Sequence, residues 1–395
     1  MKSTVTDISA GEERRGRAML AGCFLLYAVS GCLDTLKGAA LSPLLAETGF
    51  SYSLGGGLMT AFYFGYLAAA FLAGLLSSRL DKRALPLASA LALGLGTLAT
   101  LGARNPPAFL AASLLIGIGG GINQTGCTHI VIDLRPRRPG RYLNLLGATF
   151  GLVSMLTPYC FSQLLKTGAS WREAYRYGLA GAALAFAYFL FPGYPKGGSA
   201  PSVRVTLRDL AALIPARRMR WFYVLIFAYV ASEVGICAWL IEYLDKVRGI
   251  PIDLGASYLS LFYGGMLAGR CLGSLFVDRL GLRRSLSLAG TASLFCVTAG
   301  VFGPGSLAFL LPLSGLFYSI ILPTATAILT GRGQSGPGAE LGVFFAFVGL
   351  GGMAGPWLAG AVNDIFGLEF GLWVAAAFCL LQFVSIRRLG RDPGG

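Results

Sequence analysis

The chain has 395 residues, of which 55% are hydrophobic and 13% charged, with a net charge of +14 and a mean hydropathy of +0.67. A soluble protein carries about 25% charged residues, so this composition excludes an ordinary water-covered exterior and points to lipid as the surrounding solvent. The Lys and Arg residues sit in short runs between apolar stretches rather than on one soluble face, which argues against a nucleic-acid partner.

A transmembrane helix needs about 20 apolar residues to cross roughly 30 Å of hydrocarbon. Twelve stretches meet that requirement, so the predicted fold class is an all-α integral membrane protein with twelve transmembrane helices in two related six-helix bundles. A polar tail at 1–17 precedes the first bundle, 18–193, whose helices are expected at 18–44, 53–78, 84–103, 108–132, 142–165 and 176–193. The first apolar run is too long for a cleaved signal peptide and reads as a retained span. Residues 194–219 form the one long polar stretch, with Pro195, Gly197, Gly198, Pro201 and a basic cluster at Arg217, Arg218 and Arg220. Within it, 205–214 reads as a short amphipathic helix lying on the membrane surface. The second bundle, 220–386, is expected to place helices at 220–244, 254–277, 285–303, 307–330, 340–361 and 370–386, followed by a tail at 387–395.

Basic residues set the expected orientation. With both termini in the cytoplasm, the outer loops hold only Arg104, Lys166, Arg172, Arg176, Lys246 and Arg248, and the spans only Lys37 and Arg270. All other Lys and Arg fall on the cytoplasmic side, as the positive-inside bias requires. The expected location is therefore the cell membrane, with lipid as surrounding partner and a monomer as the expected state.

The two bundles are related in sequence. Shifting by 200 residues aligns 54–83 with 254–283 and pairs Phe62 with Phe262, Tyr63 with Tyr263, Gly65 with Gly265, Arg79 with Arg279 and Arg83 with Arg283. Apolar composition does not supply Phe-Tyr-x-Gly and Arg-Leu-x-x-Arg in one register. Two related six-helix units with both ends inside match the parallel-repeat architecture of the major facilitator superfamily.

The motifs carry the resemblance further. The loop Asp278-Arg279-Leu280-Gly281-Leu282-Arg283-Arg284 resembles that superfamily's cytoplasmic loop motif; in the first half Ser78 stands where the acid belongs. FYFGY at 62–66, YVASEVGICAWLIEYL at 229–244, GRCLG at 269–273, GLFYSIILPT at 315–324 and GGMAGPWLAGAVND at 351–364 together resemble the fucose–proton symporter family of monosaccharide transporters. The fourth helix departs from that family's pattern, since Gln124-Thr125 occupies the place of an acid followed by Thr. In the tenth, Tyr318 replaces the usual Asn. The resemblance implies alternating access with proton coupling and a sugar substrate.

Ionisable groups inside spans are costly and mark function by default. Glu233 sits near the middle of the seventh helix among Ala, Val, Ile and Cys. Apolar surroundings favour the protonated form of a carboxyl, which suits a group that gains and loses a proton; a static contact with a neighbouring helix is the plain alternative. Asp34 lies at similar depth in the first helix, since Leu33 aligns with Glu233 under the repeat, and is the second proton-coupling candidate. Lys37, three residues on and on the same helical face, either pairs statically with Asp34 or leaves it when substrate arrives. Asn123 and Gln124 offer amide donors and acceptors suited to hydroxyl-rich solutes, or else hold helices together. Trp239 and Tyr318 offer rings that stack on a sugar or simply pack. Arg79, Arg83, Asp278, Arg279 and Arg283 are the gating candidates on the inner loops, where contacts among the loop-motif charges are made in one state and lost in the other; snorkelling is the plain alternative for Arg270.

The eight cysteines show no paired metal-ligand spacing and read as small buried hydrophobes, and the sole histidine is His129. No metal or cofactor and no enzymatic activity are expected. The sequence thus points to a secondary active transporter of a small polar solute, with a monosaccharide favoured and protons as coupling partners. An exporter of drugs or amphipathic metabolites is the alternative.

Overall fold

The computed structural model describes residues 10–76, 83–135, 139–191, 220–331 and 337–389. Thirteen α-helices occupy these segments: α1 (Ala10–Ala39), α2 (Leu41–Thr48), α3 (Tyr52–Leu76), α4 (Ala84–Gly102), α5 (Pro106–Leu134), α6 (Pro139–Lys166), α7 (Trp171–Leu190), α8 (Arg220–Lys246), α9 (Ile252–Leu280), α10 (Leu282–Phe302), α11 (Leu310–Gly331), α12 (Pro337–Phe366) and α13 (Leu368–Leu389). The twelve long ones follow the expected spans to within a few residues at most ends. The largest differences are at the first span, at the end of α12, which runs on to Phe366, and at α7, which starts at Trp171 because Ser170 caps it, accepting from the Arg172 N–H at 3.3 Å.

The first span is broken where one helix was expected. Pro43 has no N–H to donate to the carbonyl of Ala39 and its ring crowds that group. The chain therefore turns at Ala40 and resumes as α2, which stops at Gly49 with φ +65°. Among the described residues, ten helical segments are long and apolar enough to cross a membrane on their own. Helix α7, which opens with Arg172, Glu173 and Arg176, falls outside that set. Beyond the spans, Glu47 at the end of α2 accepts from the Trp171 indole at 2.7 Å and from Arg172, and the Arg172 bond holds its carboxyl below the ordinary value.

Helix packing divides the chain into two groups. Helices α1 to α7 pack mainly on one another through α3–α5, α4–α5, α4–α7 and α1–α6, and α8 to α13 do so through α8–α12, α8–α13, α9–α11 and α10–α11. The repeat is visible in how the backbones touch. A Cβ on Gly117 of α5 would lie 2.0 Å from the Phe62 carbonyl of α3, and one on Gly315 of α11 would lie 2.2 Å from the Phe262 carbonyl of α9. Lipid supplies little drive for helices to associate, so such small-residue contacts are the main means of close packing.

The two groups meet along one seam, where α3 packs on α12 and α6 packs on α9. We call the end of the bundle that carries Ala10 and Leu389 the terminal side, and the opposite end the far side. On the far side the first N–H groups of α3 lack partners within their own helix. Asp364 near the end of α12 receives two of them, from Tyr52 at 2.8 Å and Ser53 at 2.7 Å, and its charge complements the helix dipole. The Tyr52 hydroxyl donates to Glu242 of α8 at 3.3 Å, and Thr60 donates to the Met353 carbonyl at 3.0 Å. Across α6 and α9, the Ser162 and Ser257 hydroxyls are 3.1 Å apart, Ser260 donates to the Met155 carbonyl at 2.6 Å, and Lys166 lies 3.8 Å from Asp253. These contacts close the seam on the far side.

Among the described residues the cysteines form no disulfide; Cys23, Cys127, Cys237, Cys296 and Cys379 are buried as expected, Cys32 is half-buried, and Cys160 and Cys271 are exposed, beside exposed Tyr159 and Leu272.

Two outcomes follow from this packing. Gly117→Val should lower the thermal midpoint in detergent, by an amount corresponding to about 1–3 kcal/mol of overpacking. Gly147→Ala, where an added Cβ meets nothing within 4 Å, should leave it unchanged; equal midpoints for the two would disprove the close-contact account. Asp364→Asn should loosen the far side. On a background keeping only Cys237, a membrane-impermeant maleimide applied from that side should label Asp364→Asn several-fold faster than the parent, as an altered coupling of about 1–3 kcal/mol allows.

Candidate functional site

A cavity of about 90 Å³ lies at the seam, below the far-side contacts. It is built from α1 (Asp34, Lys37, Gly38), α3 (Met59, Tyr63), α6 (Phe150, Gly151, Ser154), α8 (Glu233, Val234, Cys237, Ala238) and α9 (Tyr263, Met266, Leu267, Arg270). The volume holds several waters or part of a small solute. Its lining obeys the internal repeat: Asp34 with Val234, Lys37 with Cys237, Gly38 with Ala238 and Tyr63 with Tyr263 are pairs separated by 200 positions, and all eight residues face the same space. Matched faces of α1 and α8, and of α3 and α9, thus form opposite walls.

The charges are distributed unevenly between those walls. On the first, Lys37 forms an ion pair with Asp34 and also donates to the Asp34 main-chain carbonyl at 2.9 Å. Its ammonium sits 3.8 Å above the centre of the Phe62 ring and 5.1 Å from that of Tyr63. A cation in an apolar bundle is tolerable with a carboxylate on one side and a ring face on the other. On the second wall, Glu233 is half-buried, with the Tyr229 hydroxyl, Arg270 and Asp34 as polar neighbours. Arg270 lines the cavity, is exposed, and makes no hydrogen bond or ion pair among the described residues.

The other sequence candidates sit elsewhere. Asn123 is buried in α5, where its side-chain carbonyl accepts from the Cys127 thiol at 3.1 Å. Gln124 is exposed and accepts from the Tyr27 hydroxyl at 3.2 Å. Trp239 is buried at the seam, its indole N–H donating to the Pro356 carbonyl at 2.9 Å and its ring edge-on to Tyr52 at 5.6 Å. Tyr318 lies inside the second group, 2.6 Å from the Ser232 hydroxyl and packed on Tyr229 and Phe262. None of these four lines the cavity. Among the gating candidates, Arg83 donates to the Phe189 carbonyl at 2.7 Å and to that of Leu190, tying α4 to the end of α7. Arg279 and Arg283 are exposed on either side of Gly281, whose φ of +80° makes the α9–α10 turn. Arg79 and the side chain of Asp278 lie outside the described residues, as does the segment 205–214.

Tyr63, Tyr263, Ser154 and Phe150 were not singled out as site residues from sequence. The repeat held a signal for the two tyrosines, because a polar residue kept at matched positions of two membrane helices has a place in the shared interior. Nothing comparable marked Ser154 or Phe150 on α6.

Comparison with known proteins agrees with this arrangement. The model of the Major Facilitator Superfamily matches residues 23–330. The chain belongs to the Major Facilitator Superfamily. This transporter family membership accounts for the two helix groups around a seam and sets aside an enzymatic role. Among relatives, the chain is 23% identical to the L-fucose-proton symporter of Escherichia coli (strain K12), over 91% of this chain and 90% of that protein. It is 30% identical to a putative glucose/galactose transporter of Helicobacter pylori over 35% of this chain and 34% of that one. The crystal structure of nucleoside transporter NupG superposes with a TM-score of 0.79 at 14% identity, covering 96% of this chain and 99% of that one, which establishes a shared fold.

The Asp34–Lys37 pair is open to a double-mutant cycle in this transporter. Lys37→Ala alone should destabilise more than Lys37→Ala combined with Asp34→Asn, because a lone carboxylate left in the cavity is the costly state. A coupling of roughly 0.5–3 kcal/mol in detergent melts is the expected size; strictly additive losses would show that the two do not interact.

Proposed function

We propose that this superfamily member is a secondary carrier that moves a small polar solute of monosaccharide size together with a proton, by alternating access. In this reading all twelve long helices cross the cell membrane, with bundles at 18–193 and 220–386, a cytoplasmic loop at 194–219 and both termini inside. The observation that carries the proposal is the convergence of Glu233 and Asp34, from the first helices of the two bundles, on one cavity at a seam closed on one side. A carboxylate at such a place changes charge when it takes a proton, and the change is felt by both walls. Protonated Glu233 releases its hold on the charges around it. The solute then bridges the walls through groups such as the Tyr63 and Tyr263 hydroxyls, and the far-side contacts give way as the other end closes. The names of the fucose and glucose/galactose relatives support a solute of sugar size.

Glu233→Gln imitates the permanently protonated state. In proteoliposomes it should abolish accumulation driven by an imposed proton gradient, lowering it at least tenfold, while exchange of labelled for unlabelled solute continues. Accumulation that keeps its full dependence on the gradient in Glu233→Gln would remove this residue from the coupling step.

A further inference from the structure

The donors in the cavity do not match a neutral sugar. Neutral sugars are recognised through hydroxyls, and side-chain amides suit them because each amide offers donors and acceptors together. The amides of Asn123 and Gln124 lie outside the lining and are engaged with Cys127 and Tyr27. The residues that line the cavity are instead donor-rich: Arg270, Lys37, Tyr63, Tyr263 and Ser154. Among the described residues, the carboxylates in the lining are Asp34, already paired with Lys37, and Glu233.

Arg270 is the unbalanced member of this set. A guanidinium carries five N–H donors in a planar fork that matches a carboxylate bidentately. Here the fork makes no hydrogen bond or ion pair among the described residues, and Arg270 is an exposed residue on the cavity lining. Lys37, by contrast, is satisfied by Asp34 and by the Phe62 ring. Arg270 feels the Glu233 charge without a bond to it, and a cation left uncompensated when Glu233 takes a proton is stabilised by an anion that arrives and leaves. Once Glu233 holds a proton, the second wall carries Arg270 as its only full charge.

We propose that the transported solute bears a carboxylate, as a sugar acid does, and that Arg270 receives it with Tyr63 and Tyr263 beside it. This rests on the carrier reading above and names the substrate class of the same site. One proton entering with one monoanion moves no net charge, so transport should respond to a pH difference and not to membrane potential.

The test uses the full-length protein in proteoliposomes with an imposed pH gradient. D-glucuronate and D-gluconate are compared with D-glucose, L-fucose and D-glucuronamide, the last differing from glucuronate only in charge and donor pattern. The expected result is uptake of at least one acid at tenfold or more over every neutral compound, unaffected by an imposed potassium diffusion potential. Arg270→Gln should reduce that uptake at least tenfold, and Arg270→Lys less. The glucuronate–glucuronamide comparison on the parent protein keeps the test decisive should Arg270→Gln fail to fold. Gradient-driven uptake of glucose or glucuronamide equal to or above that of the acids overturns the carboxylate assignment and leaves the carrier reading intact. Uptake of the acids undiminished in Arg270→Gln removes Arg270 from recognition. No gradient-driven uptake of either class overturns both readings.

Discussion

Charge within an apolar bundle is the constraint on which the rest of this structure depends. Asp34, Lys37, Glu233 and Arg270 stand on membrane helices, where each would cost several kcal/mol facing lipid. All four line one cavity. Two belong to α1, one to α8 and one to α9, so neither helix group encloses them alone. Docking of the two groups along α3–α12 and α6–α9 provides the enclosure, and the seam and the site are thereby a single feature.

The far side of that seam is drawn as tightly as helix pairs within each group. A Cβ on Gly56 would lie 2.5 Å from the Pro356 carbonyl, and one on Gly360 would lie 2.3 Å from that of Tyr52. Polar contacts to Asp364, Glu242 and the Met353 carbonyl overlie these backbone approaches. Opening the far side surrenders both kinds of contact, although water entering the cleft can replace the polar ones. A ligand favours one state only by binding it better than the other. In the carrier reading proposed above, the cavity directly beneath, with groups from both walls, is where such a difference in affinity arises.

Much of the architecture was legible because membrane spans obey a simple rule. Backbone groups in hydrocarbon must be satisfied within the helix, so length and apolarity report helices directly. The expected bounds 84–103 and 220–244 became Ala84–Gly102 and Arg220–Lys246 on that basis. The break at Ala40 was written in Pro43, but a lone proline in a span bends, breaks or leaves a helix continuous according to its neighbours. Glu233, Asp34 and Lys37 were found as ionisable residues inside spans. Arg270 was found with snorkelling and a gate contact both open, because a basic residue eight positions before the loop motif reaches the surface as easily as the interior.

The sequence by itself determined the solvent of the protein, its helices and its internal repeat, since all three are properties of local composition and register. Only tertiary structure decided which polar residues share a space. Asn123, Gln124, Trp239 and Tyr318 have the chemistry of a sugar site, yet each is committed to a neighbour outside the cavity. Tyr63, Tyr263 and Arg270 line the cavity because the rotation of α3 and α9 about their own axes sets them there. That rotation is fixed by packing between helices far apart in the chain, at Gly117 against Phe62 and Gly315 against Phe262. No single helix carries the information, because a membrane helix that is apolar all round has no preferred face until another helix packs against it.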